Sequence, residues 1–236
     1  MDMLTGNAIA KADLADWRKL AQGLHARYLI DGFGAGARFV TAVGEVGDEL
    51  GHHPRVSVGT SHVDPELVSD DAIYRAEDGT EHVVEWVTQK DIDAARRITR
   101  VASNHGLEPA PSAVGELEIG LDTARSATIA PVWAALMTGN PTDQGRGTPS
   151  GDEIRDATGR MPNLMFQYTD RTDKPGQRFH LEVYVAPEVV KDRIAAAVAA
   201  GGTVIDDSDA PHLTVIADQD GNTAALCIDA AAVKTT

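Results

Sequence analysis

Thiols are almost absent from this chain: its 236 residues include one cysteine, Cys227. A single thiol excludes an internal disulfide framework and a thiolate zinc cluster. It sits in the apolar run "AALCI", where a buried structural thiol is the expected role. Long apolar runs are missing too, and none approaches the ~20 residues that a membrane-spanning helix requires. The first residues, "MDMLTGNAIAKADLADW", carry no basic region followed by an apolar stretch. No signal peptide is expected there, and the cytoplasm is the expected location. Positive charge is scarce as well, with 21 Lys and Arg against 36 Asp and Glu, a formal net charge of −15. Such a chain repels phosphate backbones and anionic lipid, so neither nucleic acid nor a membrane is an expected partner.

What is present suits a soluble protein of two compact domains, with 42% hydrophobic and 24% charged residues. The best boundary is "NHGLEPAPSAVGE", residues 104–116, where Gly106 suits a helix C-cap and Pro109 and Pro111 stop further helix. It divides the chain into residues 1–108 and 114–236. In the first part "DLADWRKLAQ" reads as a short helix with Asp13 as N-cap, and "LHARYLI" alternates like a strand. Phe39, Val43, Val46 and Leu50 recur at helical spacing and predict an amphipathic helix ending at Gly51. "RVSVG", "HVDPELVS", "AIYRA" and "EHVVEWV" are strand candidates, with "EDGT" a hairpin turn. A closing helix follows, with Thr88 as N-cap.

The second part contains a weak internal repeat. "ELEIGLDTARSATIAPVWAALMTG" and "HLEVYVAPEVVKDRIAAAVAAGG" both run strand, loop, helix, glycine, offset by 64 residues. Further strands follow each: "NLMFQYT" after the first, then "TVID", "HLTVIA" and "AALCI" after the second. The polar Gly/Pro stretch at 140–152 reads as a loop at the rim of whatever the modules enclose.

The chemistry-bearing feature is "GDELGHHPRV", residues 47–56. Gly51 with Pro54 beyond it is ordinary helix termination, and the histidines could be solvated stop residues. Their position suggests more. The partial negative charge of a helix C-terminus and the carboxylates of Asp48 and Glu49 stabilise an imidazolium, which suits a general acid.

Asp48, three spacers, then His52-His53-Pro54 resembles the hallmark of the pterin-4a-carbinolamine dehydratases. That family adds a later histidine and an aspartate opening the last helix, and "HVVEWVTQKD" supplies His82 and Asp91, nine residues apart. Trp17 in the first helix, "LHARYLI" as first strand and Phe39 in the second helix also match. The resemblance spans roughly residues 4–106. The chain departs from the family in lacking an aromatic shortly after HHP and in the 30-residue interval from His52 to His82, with an extra hairpin at "DPELVSDDAIYRAEDGT". His62 is the rival third histidine, without the correctly spaced aspartate. The resemblance implies dehydration of a 4a-hydroxytetrahydropterin to quinonoid dihydropterin, with no metal or other cofactor. Two proton transfers are needed: one to the leaving hydroxyl and one away from N5. His52 and His82 would be the proton-transfer pair, His53 would orient the pterin, Asp91 would anchor or orient, and Asp48 would support. It also implies a homo-oligomer.

The second part resembles the glyoxalase-like branch of the vicinal-oxygen-chelate superfamily through "IAPVWAALMTG", "NLMFQY", "RFHLEVYV" and "ADQDGNTAALCI". The resemblance places His180 and Glu118 (or Glu116 on the same strand face) at ligand positions, with Gln167 and Ala225 on the closing strands. One histidine, one carboxylate, an amide and an alanine make a poor metal set, so a metal-free cup is expected. His212 could restore a third donor. The expected fold class is therefore α+β: an antiparallel sheet with helices on one face, then two βαβββ-type modules. The alternative function places the main activity, or small-molecule binding, in the C-terminal cup, with the N-terminal domain a non-catalytic binding or dimerisation module.

Overall fold

The computed structural model describes residues 1–115, 118–142, 153–154, 161–169, 181–185 and 189–227. They form two units, Met1–Glu116 and Leu117–Thr236, and the architecture is α+β. Among the described residues no helix is long and apolar enough to cross a membrane.

The N-terminal unit opens with α1 (Gly6–Lys11), whose first turn is capped by the Thr5 hydroxyl accepting from Ala8 N at 3.2 Å. β1 (Trp17–Leu20) and β2 (Gly23–Ala26) then form an antiparallel hairpin. This corrects the helix expected over "DLADWRKLAQ". Asp13 is no N-cap but a left-handed residue with φ 51°, and Trp17 lies in a strand opposite Ala26. Pairing with β2 buries Trp17, whose Nε1 donates to Thr99 Oγ1 at 3.1 Å, and this tertiary demand overrides local helix propensity. After β3 (Tyr28–Leu29) comes α2 (Phe33–Leu50), which buries Phe39, Val43 and Val46 and ends at Gly51 with φ 60°. That left-handed cap is the geometry in which glycine carries no Cβ penalty.

β4 (Arg55–Val58), β5 (His62–Leu67) and β8 (Glu108–Pro109) complete the sheet, reached after β6 (Ser69–Arg75), β7 (Glu81–Trp86) and α3 (Gln89–Asn104). The sheet path is β1-β2-β5-β3-β8, with β4 also on β5, all pairs antiparallel. So the expected boundary stretch contributes a strand to this sheet. β6 and β7 form a separate antiparallel hairpin, turned at Gly79, where φ is 86°. One core joins Trp17, Leu24, Tyr28, Phe39, Val63, Leu67, Ile92 and Ile98 across sheet, α2 and α3.

The C-terminal unit repeats its pattern. β9 (Glu118–Thr123), α4 (Ser126–Thr138), β10 (Glu153–Ile154) and β11 (Asn163–Tyr168) come first. β12 (Leu181–Tyr184), α5 (Val190–Ala199), β13 (Thr203–Asp209), β14 (Leu213–Ala217) and β15 (Thr223–Cys227) follow. In each module the first strand pairs parallel with the last, β9 with β11 and β12 with β15, while the remaining pairs are antiparallel. α4 is apolar on most of its circumference and correspondingly buried, from Ile129 to Met137 with Pro131 excepted. A turn the sequence reading passed over stabilises this unit. The Asp218 carboxylate accepts from Trp133 Nε1 (3.0 Å), Asp220 N (2.9 Å), Asn222 N (2.8 Å) and Asn222 Nδ2 (2.8 Å). Cys227 is buried, and burial followed by the nearby Glu182 pushes its thiol up from the usual range, which disfavours a thiolate nucleophile.

Candidate active site

The site grows from the end of α2. His52 N donates to Gly47 O at 3.1 Å, the chain leaves the helix through Gly51, and Pro54 starts the extended run into β4. His52 and His53 thereby point to different partners. His53 Nε2 lies 2.9 Å from Asp48 Oδ1, a pair largely open to solvent. The ring packs so closely against α2 that a Cβ on Gly47 would overlap it. His52 is only 11% exposed, and its Nε2 lies 2.7 Å from Oδ1 of Asp91, whose side chain is fully buried.

Asp91 owes its position to the start of α3. Thr88 is the N-cap and Asp91 the third helical residue, and the two form a reciprocal capping box. Asp91 Oδ2 accepts from Thr88 N (2.7 Å), Thr88 Oγ1 (3.1 Å) and Ser69 Oγ (2.7 Å), while the Ser69 and Thr88 hydroxyls lie 2.8 Å apart. One carboxylate therefore caps a helix, ties in the start of β6 and holds an imidazole. With Asp91 accepting from Nε2–H, the neutral ring carries its lone pair on Nδ1, so the carboxylate selects the tautomer.

Beside the histidines lies a cleft of about 210 Å³ lined by His52, His53, Arg55, Glu66, Val68 and Asp70. Arg55 Nη1 is 3.4 Å from Glu66 Oε1, and Nη2 is 3.8 Å from Glu85 Oε1. The lining is polar and charged, suited to a heterocycle rich in donors and acceptors.

His82 is placed elsewhere. It lies on β7 opposite Tyr74, its ring stacked on the tyrosine at 6.2 Å, and it is not among the cleft-lining residues. His82 thus stands with its cross-strand neighbour on the β6–β7 hairpin rather than in the lining of the cleft beside His52. His62, the rival, sits at the start of β5 with Nε2 3.8 Å from Asp64 Oδ2, also outside the lining. The structure brings together His52, His53, Asp48 and Asp91. The sequence reading missed Ser69, Arg55, Glu66, Val68 and Asp70. Period-two alternation through Glu66, Val68 and Asp70 was the available signal.

In the C-terminal unit His180 and Glu116 lie outside the described residues. Glu118 sits opposite Asn163 in the β9–β11 register and Gln167 opposite Asp122, while Ala225 pairs with Glu182 and Val215. His212 precedes β14 with its Nδ1 buried and unpartnered, as is Thr214 Oγ1. Among the described residues no group of three or more His, Cys, Asp or Glu is placed to hold a metal ion.

Comparison with known proteins separates along the same lines. Residues 3–101 match the family model of pterin 4 alpha carbinolamine dehydratase, and residues 118–227 match that of a glyoxalase-like domain. A protein of Natronomonas pharaonis, provisionally assigned as a pterin-4-alpha-carbinolamine dehydratase, is 28% identical over 101 residues, 43% of this chain and 97% of its own. Among solved structures, a transcriptional coactivator/pterin dehydratase from Brucella melitensis is 21% identical at a TM-score of 0.35, covering 43% of this chain and 99% of its own. A Bacillus anthracis protein provisionally placed in the glyoxalase family is 14% identical at a TM-score of 0.33, covering 49% and 95%. The chain is a fusion of two family segments, a pterin 4 alpha carbinolamine dehydratase-like domain followed by a glyoxalase-like domain.

Proposed function

We propose that the N-terminal unit dehydrates a 4a-hydroxytetrahydropterin to quinonoid dihydropterin, with His52 as the acid–base centre. The observation that carries this reading is the His52–Asp91 pair: a nearly buried imidazole at a polar cleft, held at 2.7 Å by a fully buried carboxylate. In the reaction the C4a–O bond breaks, the N5 proton departs, and a C4a=N5 double bond forms as water leaves. There is no net oxidation, so the chemistry consists of two proton transfers. His52, held at Nε2, works through Nδ1 and delivers a proton to the departing hydroxyl. His53, open to the cleft and paired with Asp48, orients the pterin. Asp91 is a positioning residue that fixes the ring and its tautomer. The second proton transfer, expected of His82, needs a group that faces the cleft, and His82 is not among the cleft-lining residues.

The test is the breakdown of 4a-hydroxytetrahydropterin, generated in situ and followed by absorbance, with and without the purified chain. Wild-type protein should accelerate it, and His53→Ala should raise KM more than it lowers kcat. Breakdown at the buffer rate at every protein concentration would overturn the reading.

A further inference from the structure

β6 and β7 slip out of register near the cleft. Ser69 pairs with Trp86 and Ala72 with Val84, so three steps along β6 meet two along β7. The extra residue is a β-bulge, a device that re-aims side chains beside functional sites. It falls on Asp70 and Asp71, both exposed. Their roles then diverge. Asp71 pairs with Lys90 Nζ at 2.8 Å, while Asp70 lines the cleft alongside His52 and His53. The strand is pinned immediately before it, since Ser69 Oγ donates to the oxygen of Asp91 that does not hold His52. Asp70 is therefore one residue from the network that orients His52. The other carboxylate of the cleft, Glu66, is engaged by Arg55.

Resting on the dehydratase reading above, we propose that Asp70 is the second proton-transfer group of this site, in the place where a third histidine was expected. The Asp70 carboxylate takes the N5 proton, and the N5–H electron pair becomes the second bond of C4a=N5. The C4a–O bond breaks as His52 Nδ1–H protonates the hydroxyl, which leaves as water. Solvent then returns the proton from Asp70 to His52, and the cycle closes with no other reactant.

The experiment compares kcat and KM of wild type, Asp70→Asn, Asp71→Asn and His82→Ala for 4a-hydroxytetrahydropterin breakdown, using the full chain with circular dichroism as a folding check. Asp70→Asn should lower kcat by roughly 10²-fold or more, with KM much less affected. Asp71→Asn and His82→Ala should both stay near wild type. Wild-type acceleration that Asp70→Asn retains to within about twofold would overturn the Asp70 assignment alone. A loss that Asp71→Asn shares equally would assign the effect to the bulge and also overturn it. No acceleration by wild type would overturn the dehydratase reading and Asp70 with it.

Discussion

Replacing Asp91 should separate the two tasks of its carboxylate. Asp91→Ala leaves the buried Thr88 N–H without its acceptor, at about 1–3 kcal/mol. It also removes the hydrogen bond to His52, which at charge-assisted strength contributes about 1.5–3 kcal/mol. The Ser69 and Thr88 hydroxyls keep each other, 2.8 Å apart, so they add little. Because these groups share one network the losses are not additive, and a total of about 3–5 kcal/mol is expected. That is a large share of a typical domain's ~5–15 kcal/mol. Asp91→Asn keeps the shape and one carbonyl oxygen but gains an NH2. If the oxygen serves Thr88 N–H, the NH2 meets His52 Nε2 and forces the proton onto Nδ1, the opposite tautomer. Asn should therefore cost only about 1–2 kcal/mol of stability yet lower activity by roughly 10²-fold or more. Urea unfolding of the full chain, with hydrogen exchange of the α3 amides to locate the loss, measures the first quantity. The carbinolamine assay measures the second. Full activity in Asp91→Asn, or a loss below about 1 kcal/mol in Asp91→Ala, would refute the reasoning.

Gly47→Ala should gain about 0.5–1 kcal/mol of helix propensity but press its Cβ into the His53 ring, which must shift, so KM in the carbinolamine assay should rise more than kcat falls. Burial, followed by the neighbouring Asp16 carboxylate, pushes the Tyr28 phenol far above its ordinary range, and the Thr99 hydroxyl offsets only part of that rise. The folded state resists ionisation, so its contribution is complete below pH ~10 and declines as pH rises above it; Tyr28→Phe should flatten that decline in a pH series of unfolding curves. Asp218→Ala leaves the buried Trp133 Nε1 and two turn amides without acceptors and should destabilise the C-terminal unit by about 3 kcal/mol, read as faster hydrogen exchange in α4.

Several of these features were legible in the sequence because their signals are local. Apolar spacing from Phe39 to Leu50 and a glycine stop define α2, and Thr88 with Asp91 is a capping-box pattern. The 64-residue offset of the repeat is the spacing between the starts of α4 and α5. The β1–β2 hairpin was misread because Trp17 is buried by a partner strand, which no local period announces. The central pair was visible as residue types but not as a contact, since His52 and Asp91 are 39 positions apart. Asp70 escaped for a different reason: the alternation from Glu66 through Val68 reaches it but breaks at the next residue, inside the bulge, so strand candidates ended one residue short at Ser69 and resumed at Ala72. The nine-residue spacing of His82 from Asp91 was visible, whereas its pairing with Tyr74 across the hairpin was not, because spacing to Asp91 carries no cross-strand register.

The most direct measurement is the rate of 4a-hydroxytetrahydropterin dehydration by wild type and by His52→Ala under identical conditions, with both proteins shown to be folded. Wild type should accelerate the reaction and His52→Ala should lose roughly 10²-fold or more of that acceleration. Equal acceleration by the two proteins would contradict the assignment of His52 as the acid–base centre.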